Sequence, residues 1–151
     1  MTEANTIVVD EVFPHEAGVI WEALTSGELM ARWMMPATGF QAVVGNRFTF
    51  KTTPAGEWDG TIQCQILEIV PLARFTYSWK GGDERNTGYG SKLDTIVTWT
   101  LSAGEGGTRV RLVHSGFSLP KNEVALKNMG DGWKKVLPRL SATASEIRGA
   151  E

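Results

Sequence analysis

The chain has 151 residues, a net charge of −2, 42% hydrophobic and 21% charged residues, and a pI near 5.7. That is the make-up of one globular domain able to bury about two-thirds of its unfolded surface. It excludes a disordered chain and leaves no basic excess for a phosphate backbone, so nucleic acid is not an expected partner.

A single cysteine, Cys64, allows no internal disulfide framework and suits a reducing cytoplasm. The N-terminus (MTEANTIVVDEVF) carries acid without a long apolar run, so no signal peptide is expected. No stretch approaches the roughly 18 apolar residues of a membrane span. Residues 5–13 are β-branched and read as a strand stopped by Pro14. Pro14 suits the first turn of a helix, in which Val19, Ile20, Ala23 and Leu24 follow helical spacing. Ser26-Gly27 breaks it, and a second short helix runs from Glu28 to about Met34, before Pro36.

Strands follow. Phe48 and Phe50 alternate with Arg47, Thr49 and Lys51 after a Gly45-Asn46 turn. Gly60 to Ile69 alternates through Ile62, Cys64 and Ile66, then changes phase at Leu67, which predicts a bulge. Beyond Pro71, Phe75, Tyr77 and Trp79 share one face. Residues 81–90 form a Gly-rich polar loop whose length and Tyr89 would suit a lid. Strand 92–102 places Val97, Trp99 and Leu101 together, Gly104 to Gly107 connects a hairpin, and Val110, Leu112 and His114 continue on one face. Outward Thr and Arg residues imply antiparallel strands with one wet side. Finally Leu126, Met129, Trp133, Val136, Leu137, Leu140, Ala144 and Ile147 make a helical apolar stripe, which Gly130, Gly132 and Pro138 are expected to weaken and bend. This stripe is the only element long enough to cover the apolar face of the sheet.

This order resembles the START-like (SRPBCC) superfamily, and within it the heat-shock-protein-90 ATPase activator homologue, or CalC-like, family. The resemblance rests on Ile20-Trp21-Glu22-Ala23-Leu24, Arg32-Trp33-Met34-Met35-Pro36, Gly45-Asn46-Arg47-Phe48 and the segment Gly60-Thr61 through Ile69-Val70-Pro71. It continues with Phe75-Thr76-Tyr77-Ser78-Trp79, Val97-Thr98-Trp99-Thr100-Leu101, Gly107-Thr108-Arg109-Val110, His114-Ser115-Gly116-Phe117 and Gly132-Trp133. It covers nearly the whole chain. Asn46, where the family often repeats glycine, and Pro138 inside the final helix depart from the pattern. The resemblance implies an α+β helix-grip fold: a curved antiparallel sheet of about six to seven strands gripping a long C-terminal helix, with two short helices after the first strand, all in one domain spanning 1–151. It also implies a cavity between sheet and helix.

Phase along the strands supplies candidates for that cavity. Phe48, Phe50, Phe75, Tyr77, Trp79, Trp99 and His114 share the inward side, and Met129 and Trp133 should face them. They either line a ligand site or simply fill a core. Trp33, with Met34 and Met35, forms an apolar knot that packs under the first helix, gates a pocket or meets a partner. His114 is the best polar anchor, or else a buried histidine satisfied by a hydroxyl or carbonyl. Asp59, Arg32, Tyr77 and Glu84 would supply acid–base groups in a cyclase-type enzyme, although no spacing pairs them. With His15, His114 and Cys64 the only soft ligands, no metal is expected. No cofactor is expected either, because Gly81-Gly82 and Gly88-x-Gly90 lack the context of a phosphate loop. The expected function is non-enzymatic binding of a small hydrophobic molecule in the cytoplasm, by a monomer or homodimer. The alternatives are a co-chaperone-like module engaging a chaperone or other protein, and a polyketide cyclase-like enzyme.

Overall fold

The computed structural model describes residues 5–149. Strand β1 (Thr6–Phe13) leads into helices α1 (Ala17–Thr25) and α2 (Gly27–Trp33). Strands β2 (Arg47–Lys51), β3 (Thr61–Val70), β4 (Arg74–Gly81), β5 (Leu93–Gly104) and β6 (Gly107–Ser115) follow, and the long helix α3 (Glu123–Gly149) closes the chain. The six strands form one antiparallel sheet in the order β1-β6-β5-β4-β3-β2. This is the helix-grip α+β fold.

Alternation sets the two faces of the sheet. Ile7, Val9, Phe48, Phe50, Ile62, Cys64, Ile66, Phe75, Tyr77, Trp79, Val97, Trp99, Leu101, Val110 and Leu112 are buried on the inner side. Outer positions carry Arg109 and Arg111, both paired with Asp10, and Arg74 paired with Glu68. The register of β3 against β4 shifts between Ile66 and Glu68, so Leu67 is the bulge that the phase change predicts. Rows of paired residues cross the sheet. One holds Ile7, His114, Val97 and Tyr77, the next Val9, Leu112, Trp99 and Phe75, and a third, nearer one end, Thr95 and Trp79.

Helix α1 starts later than Pro14 suggests. The backbone before it is engaged elsewhere, since the Thr108 hydroxyl donates to the His15 carbonyl at 2.7 Å. Ser26 ends α1 and caps α2, its Oγ accepting from the Leu29 N–H at 3.2 Å. Helix α3 begins at Glu123, ahead of its first stripe residue, and is continuous through Gly130, Gly132 and Pro138. Ala125, Trp133, Leu137, Leu140 and Ala144 are its buried face. Packing replaces the backbone hydrogen bond that Pro138 cannot make to Lys134. Among the described residues, no helix is long and apolar enough to cross a membrane.

Candidate functional site

The centre of the grip is filled. Trp33 packs edge-on against Trp99 with ring centroids 5.5 Å apart, and Trp99 meets Trp133 at 5.7 Å. Phe48 contacts Tyr77 at 5.7 Å and Phe75 contacts Tyr77 at 5.2 Å. Each of these rings is 2% exposed or less. Ring contacts of this kind fill the space between the sheet and the helix. Burial pushes the Tyr77 phenol and the Cys64 thiol well above their ordinary ionisation ranges, so neither is an accessible nucleophile or base.

His114 is fully buried, and both ring nitrogens are used. Trp133 Nε1–H lies 3.0 Å from Nδ1, and Nε2 lies 2.7 Å from Thr95 Oγ1. The Thr95 hydroxyl donates to the Trp79 carbonyl at 2.7 Å. The partners assign the tautomer: an indole can only donate, so Nδ1 accepts, and the hydroxyl proton is spent, so Nε2 carries the hydrogen. Burial pushes the imidazole down to about 3, and the ring is neutral. His114 therefore braces the core, one of the two roles the sequence left open.

Space opens at one end of the sheet, where β3 begins, β4 ends and β5 begins. A pocket of about 300 Å³ lies there. Ile62, Trp79, Gly81 and Leu93 of the strands form one side, and Ala125, Asn128, Met129, Gly132, Trp133 and Val136 of α3 the other. Met34 and Met35 follow from the end of α2, Thr52 and Trp58 from the β2–β3 connection, and Gly82, Tyr89, Gly90 and Ser91 from the β4–β5 connection. Glycine makes this wall possible. Gly82 holds φ +77°, and a Cβ there would run into the Ser91 carbonyl; Gly90 holds φ +87°, with Ala55 and Asn86 against it.

The connection over residues 82–91 is tied down at many points. Asn86 Nδ2 donates to the Ala55 carbonyl at 2.7 Å and the Gly90 carbonyl at 3.1 Å. Tyr89 donates to the Thr53 carbonyl at 2.6 Å, and Lys121 Nζ donates to the Glu84 carbonyl at 3.0 Å. Buried Asn122 donates to Ser91 Oγ and the Lys92 carbonyl, both at 2.9 Å. The Arg85 side chain and N–H bond Asp83 and hold its carboxyl far below the usual carboxylate range. These bonds build the connection into the wall of the pocket.

The family model for Activator of Hsp90 ATPase homolog 1-like protein matches residues 14–145. The chain belongs to this family. Its fold is the START-like one, and solved structures agree. A Mesorhizobium loti protein, MLL2253, is 28% identical with a TM-score of 0.79, covering 93% of this chain and 97% of its own. CalU16 from Micromonospora echinospora is 25% identical with a TM-score of 0.70, covering 96% of this chain and 79% of its own. DynU16, of the dynemicin biosynthetic locus, shares the fold at 21% identity and a TM-score of 0.71, over 91% of this chain and 46% of its own. No match is found among curated proteins.

Within this family member, the residues singled out by phase separate into two groups. Trp79, Met129 and Trp133 line the pocket. Trp33, Phe48, Phe50, Phe75, Tyr77, Trp99 and His114 do not line it and sit in the packed centre. Residues outside that set of candidates share the wall, among them Trp58, Ile62, Leu93, Ala125, Gly132 and Val136. Their signal was the cluster of glycines at 81, 82 and 90, facing Gly132 on the helix, where missing side chains leave volume.

The acid–base candidates are dispersed. Arg32 pairs with Glu146 at 2.6 Å, Glu84 with Lys92 at 3.1 Å, and Asp59 accepts the Thr61 N–H at 2.9 Å. Tyr77 takes the Trp99 indole N–H at 3.2 Å. None of the four lines the pocket. Among the described residues, no group of three or more metal-ligating side chains occurs.

Proposed function

We propose that this family member binds a small hydrophobic molecule in the pocket at the end of the sheet, as a binding module rather than an enzyme, and that residues 1–151 act as one domain. The observation that carries the reading is the composition of the wall. Among the described residues, Tyr89 is the only titratable side chain on it, and its hydroxyl is spent on the Thr53 carbonyl. Acid–base catalysis needs a titratable group within reach of the substrate. The wall offers methionine, aliphatic and indole surface instead, which suits a ligand site. Burying roughly 200 Å² of apolar ligand would contribute about 5 kcal/mol before the costs of association, consistent with micromolar affinity. A reducing cytoplasm fits the unpaired, buried Cys64.

Gly132 supplies the test. It faces the pocket, and a Cβ at this position meets nothing within 4 Å. Gly132→Phe should fill the pocket from the helix side while keeping the fold. Native mass spectrometry of the purified wild type should reveal a co-purified small molecule, and a screen of hydrophobic compounds should quench its tryptophan fluorescence. Both signals should vanish in Gly132→Phe. Undiminished binding in that variant would move the site elsewhere.

The family description supports a second reading, engagement of a chaperone. Val43 and Val44, 60% and 58% exposed before β2, are the natural place to test it. Replacing both by Ser should abolish co-precipitation of an Hsp90-type ATPase if that reading is right, and should leave small-molecule binding intact.

A further inference from the structure

Indole N–H groups in an interior normally find an acceptor. Here Trp33 donates to the Ala23 carbonyl at 2.9 Å, Trp58 to the Thr61 carbonyl at 2.9 Å, Trp99 to Tyr77 Oη at 3.2 Å and Trp133 to His114 Nδ1 at 3.0 Å. Of the other two, Trp21 is half-buried, within reach of water, and Trp79 is not. It is only 3% exposed, yet its Nε1 has no acceptor among the described residues. The atom is not sealed from solvent either, since His15 Nδ1 is the one fully buried side-chain polar atom without a partner among them. Trp79 lines the pocket.

The rest of the wall restricts what that donor can meet. Among the described residues, no carboxylate, ammonium, guanidinium or imidazole lines the pocket, and its other polar side chains, Thr52, Tyr89, Ser91 and Asn128, offer hydroxyls and an amide. An ionised guest would shed hydration and gain no countercharge. Trp58, Trp79 and Trp133 offer flat faces, and Met34, Met35 and Met129 offer sulfur to ring edges. Resting on the ligand-binding reading above, we propose that the pocket takes an uncharged, planar aromatic molecule carrying a carbonyl or ether oxygen, and that this oxygen accepts the Trp79 indole N–H. Trp79 is then the residue that sets orientation and selects acceptor-bearing guests over plain hydrocarbons.

Three probes of one shape separate the possibilities: 2-acetylnaphthalene, 2-ethylnaphthalene and 2-naphthoate. Calorimetry should show the ketone binding roughly three- to tenfold tighter than the hydrocarbon, the size expected of one neutral hydrogen bond. The carboxylate should bind at least about tenfold more weakly than the ketone, for want of a countercharge. In a ¹H–¹⁵N spectrum, where the protein has six indole groups, the Trp79 cross-peak should move downfield with the ketone and not with the hydrocarbon. Trp79→Phe keeps a ring and removes the N–H, so the two neutral probes should then bind alike. Should that variant fail to fold, the wild-type probe ratio and cross-peak still decide. Equal binding of ketone and hydrocarbon with an unmoved Trp79 signal overturns the donor role and leaves the pocket reading standing. Tighter binding of naphthoate overturns the uncharged guest. Failure of all three probes to bind overturns this inference and the ligand-binding reading together.

Discussion

His114 spends both ring nitrogens inside the core, and that fixes how the protein should respond to acid. The neutral ring links Trp133 to Thr95 and, through the Thr95 hydroxyl, to the Trp79 backbone. Protonation would put a second N–H against a donor and a charge where no water reaches. Burial holds the folded value near 3, against about 6.5 in an unfolded chain. Between those limits the unfolded state binds the extra proton, so stability is complete above about pH 6.5 and declines as the pH falls. One group contributes a slope of about 1.4 kcal/mol per pH unit. Urea denaturation at pH 6 and pH 4.5 should show that slope in the wild type. His114→Gln, which keeps one acceptor and one donor, should be less stable at pH 7 and should lack this share of the acid slope. An unchanged slope would mean that surface carboxylates govern the acid response. The sequence pointed to this residue correctly by phase, yet could not choose between anchor and brace. The choice depends on Trp133 and Thr95, each 19 residues away in sequence.

At the scale of elements, helix α3 was legible because its stripe runs for about six turns. The same periodicity identifies the residues that matter to stability. Trp133 touches Trp79, Trp99 and His114, so Trp133→Ala opens a large cavity and leaves Nδ1 of His114 unpaired. A loss of about 3–5 kcal/mol is expected on chemical denaturation, and a loss under 1 kcal/mol would contradict the packing described. Gly130 works the other way. A Cβ there has Ile7 Cγ1 at 4.0 Å as its nearest neighbour, which is ordinary contact. Gly130→Ala should gain up to about 1 kcal/mol from helix propensity alone, read as a rise in the urea midpoint without change of slope. The start of α1 was less legible. Pro14 carries a strong helix-start signal, but the His15 carbonyl answers to Thr108, and tertiary contact outranks a local preference.

At the scale of the whole molecule, element order and the wet and dry faces were readable, because period-2 alternation and the helical stripe are properties of the chain. Depth along a strand is not. Tyr77 and Trp79 share a face and a strand, yet Tyr77 lies under the packed centre and Trp79 at the pocket. What separates them is where α2 and α3 cross the sheet and where the glycine-rich connection folds back, and neither is periodic. That connection is also where the static and mobile pictures part. Asn86 binds the carbonyls of Ala55 and Gly90, tying two connections into one wall. Asn86→Ala removes both bonds. Because the site is only part-buried, water can reach the freed carbonyls, and a cost of about 1–2 kcal/mol is expected. Most of that loss should be local, since partly exposed, loop-borne structure opens below the global unfolding energy. Hydrogen exchange should therefore quicken across residues 82–91 while amides of β5 and β6 keep their protection. Binding of 2-acetylnaphthalene should weaken in step, because Gly82, Tyr89, Gly90 and Ser91 would no longer hold their side of the pocket. If the wild-type amides of 82–91 already exchange freely and Asn86→Ala leaves both exchange and binding unchanged, the connection is the lid its length suggests. The pocket would then be shaped by the guest rather than before it arrives.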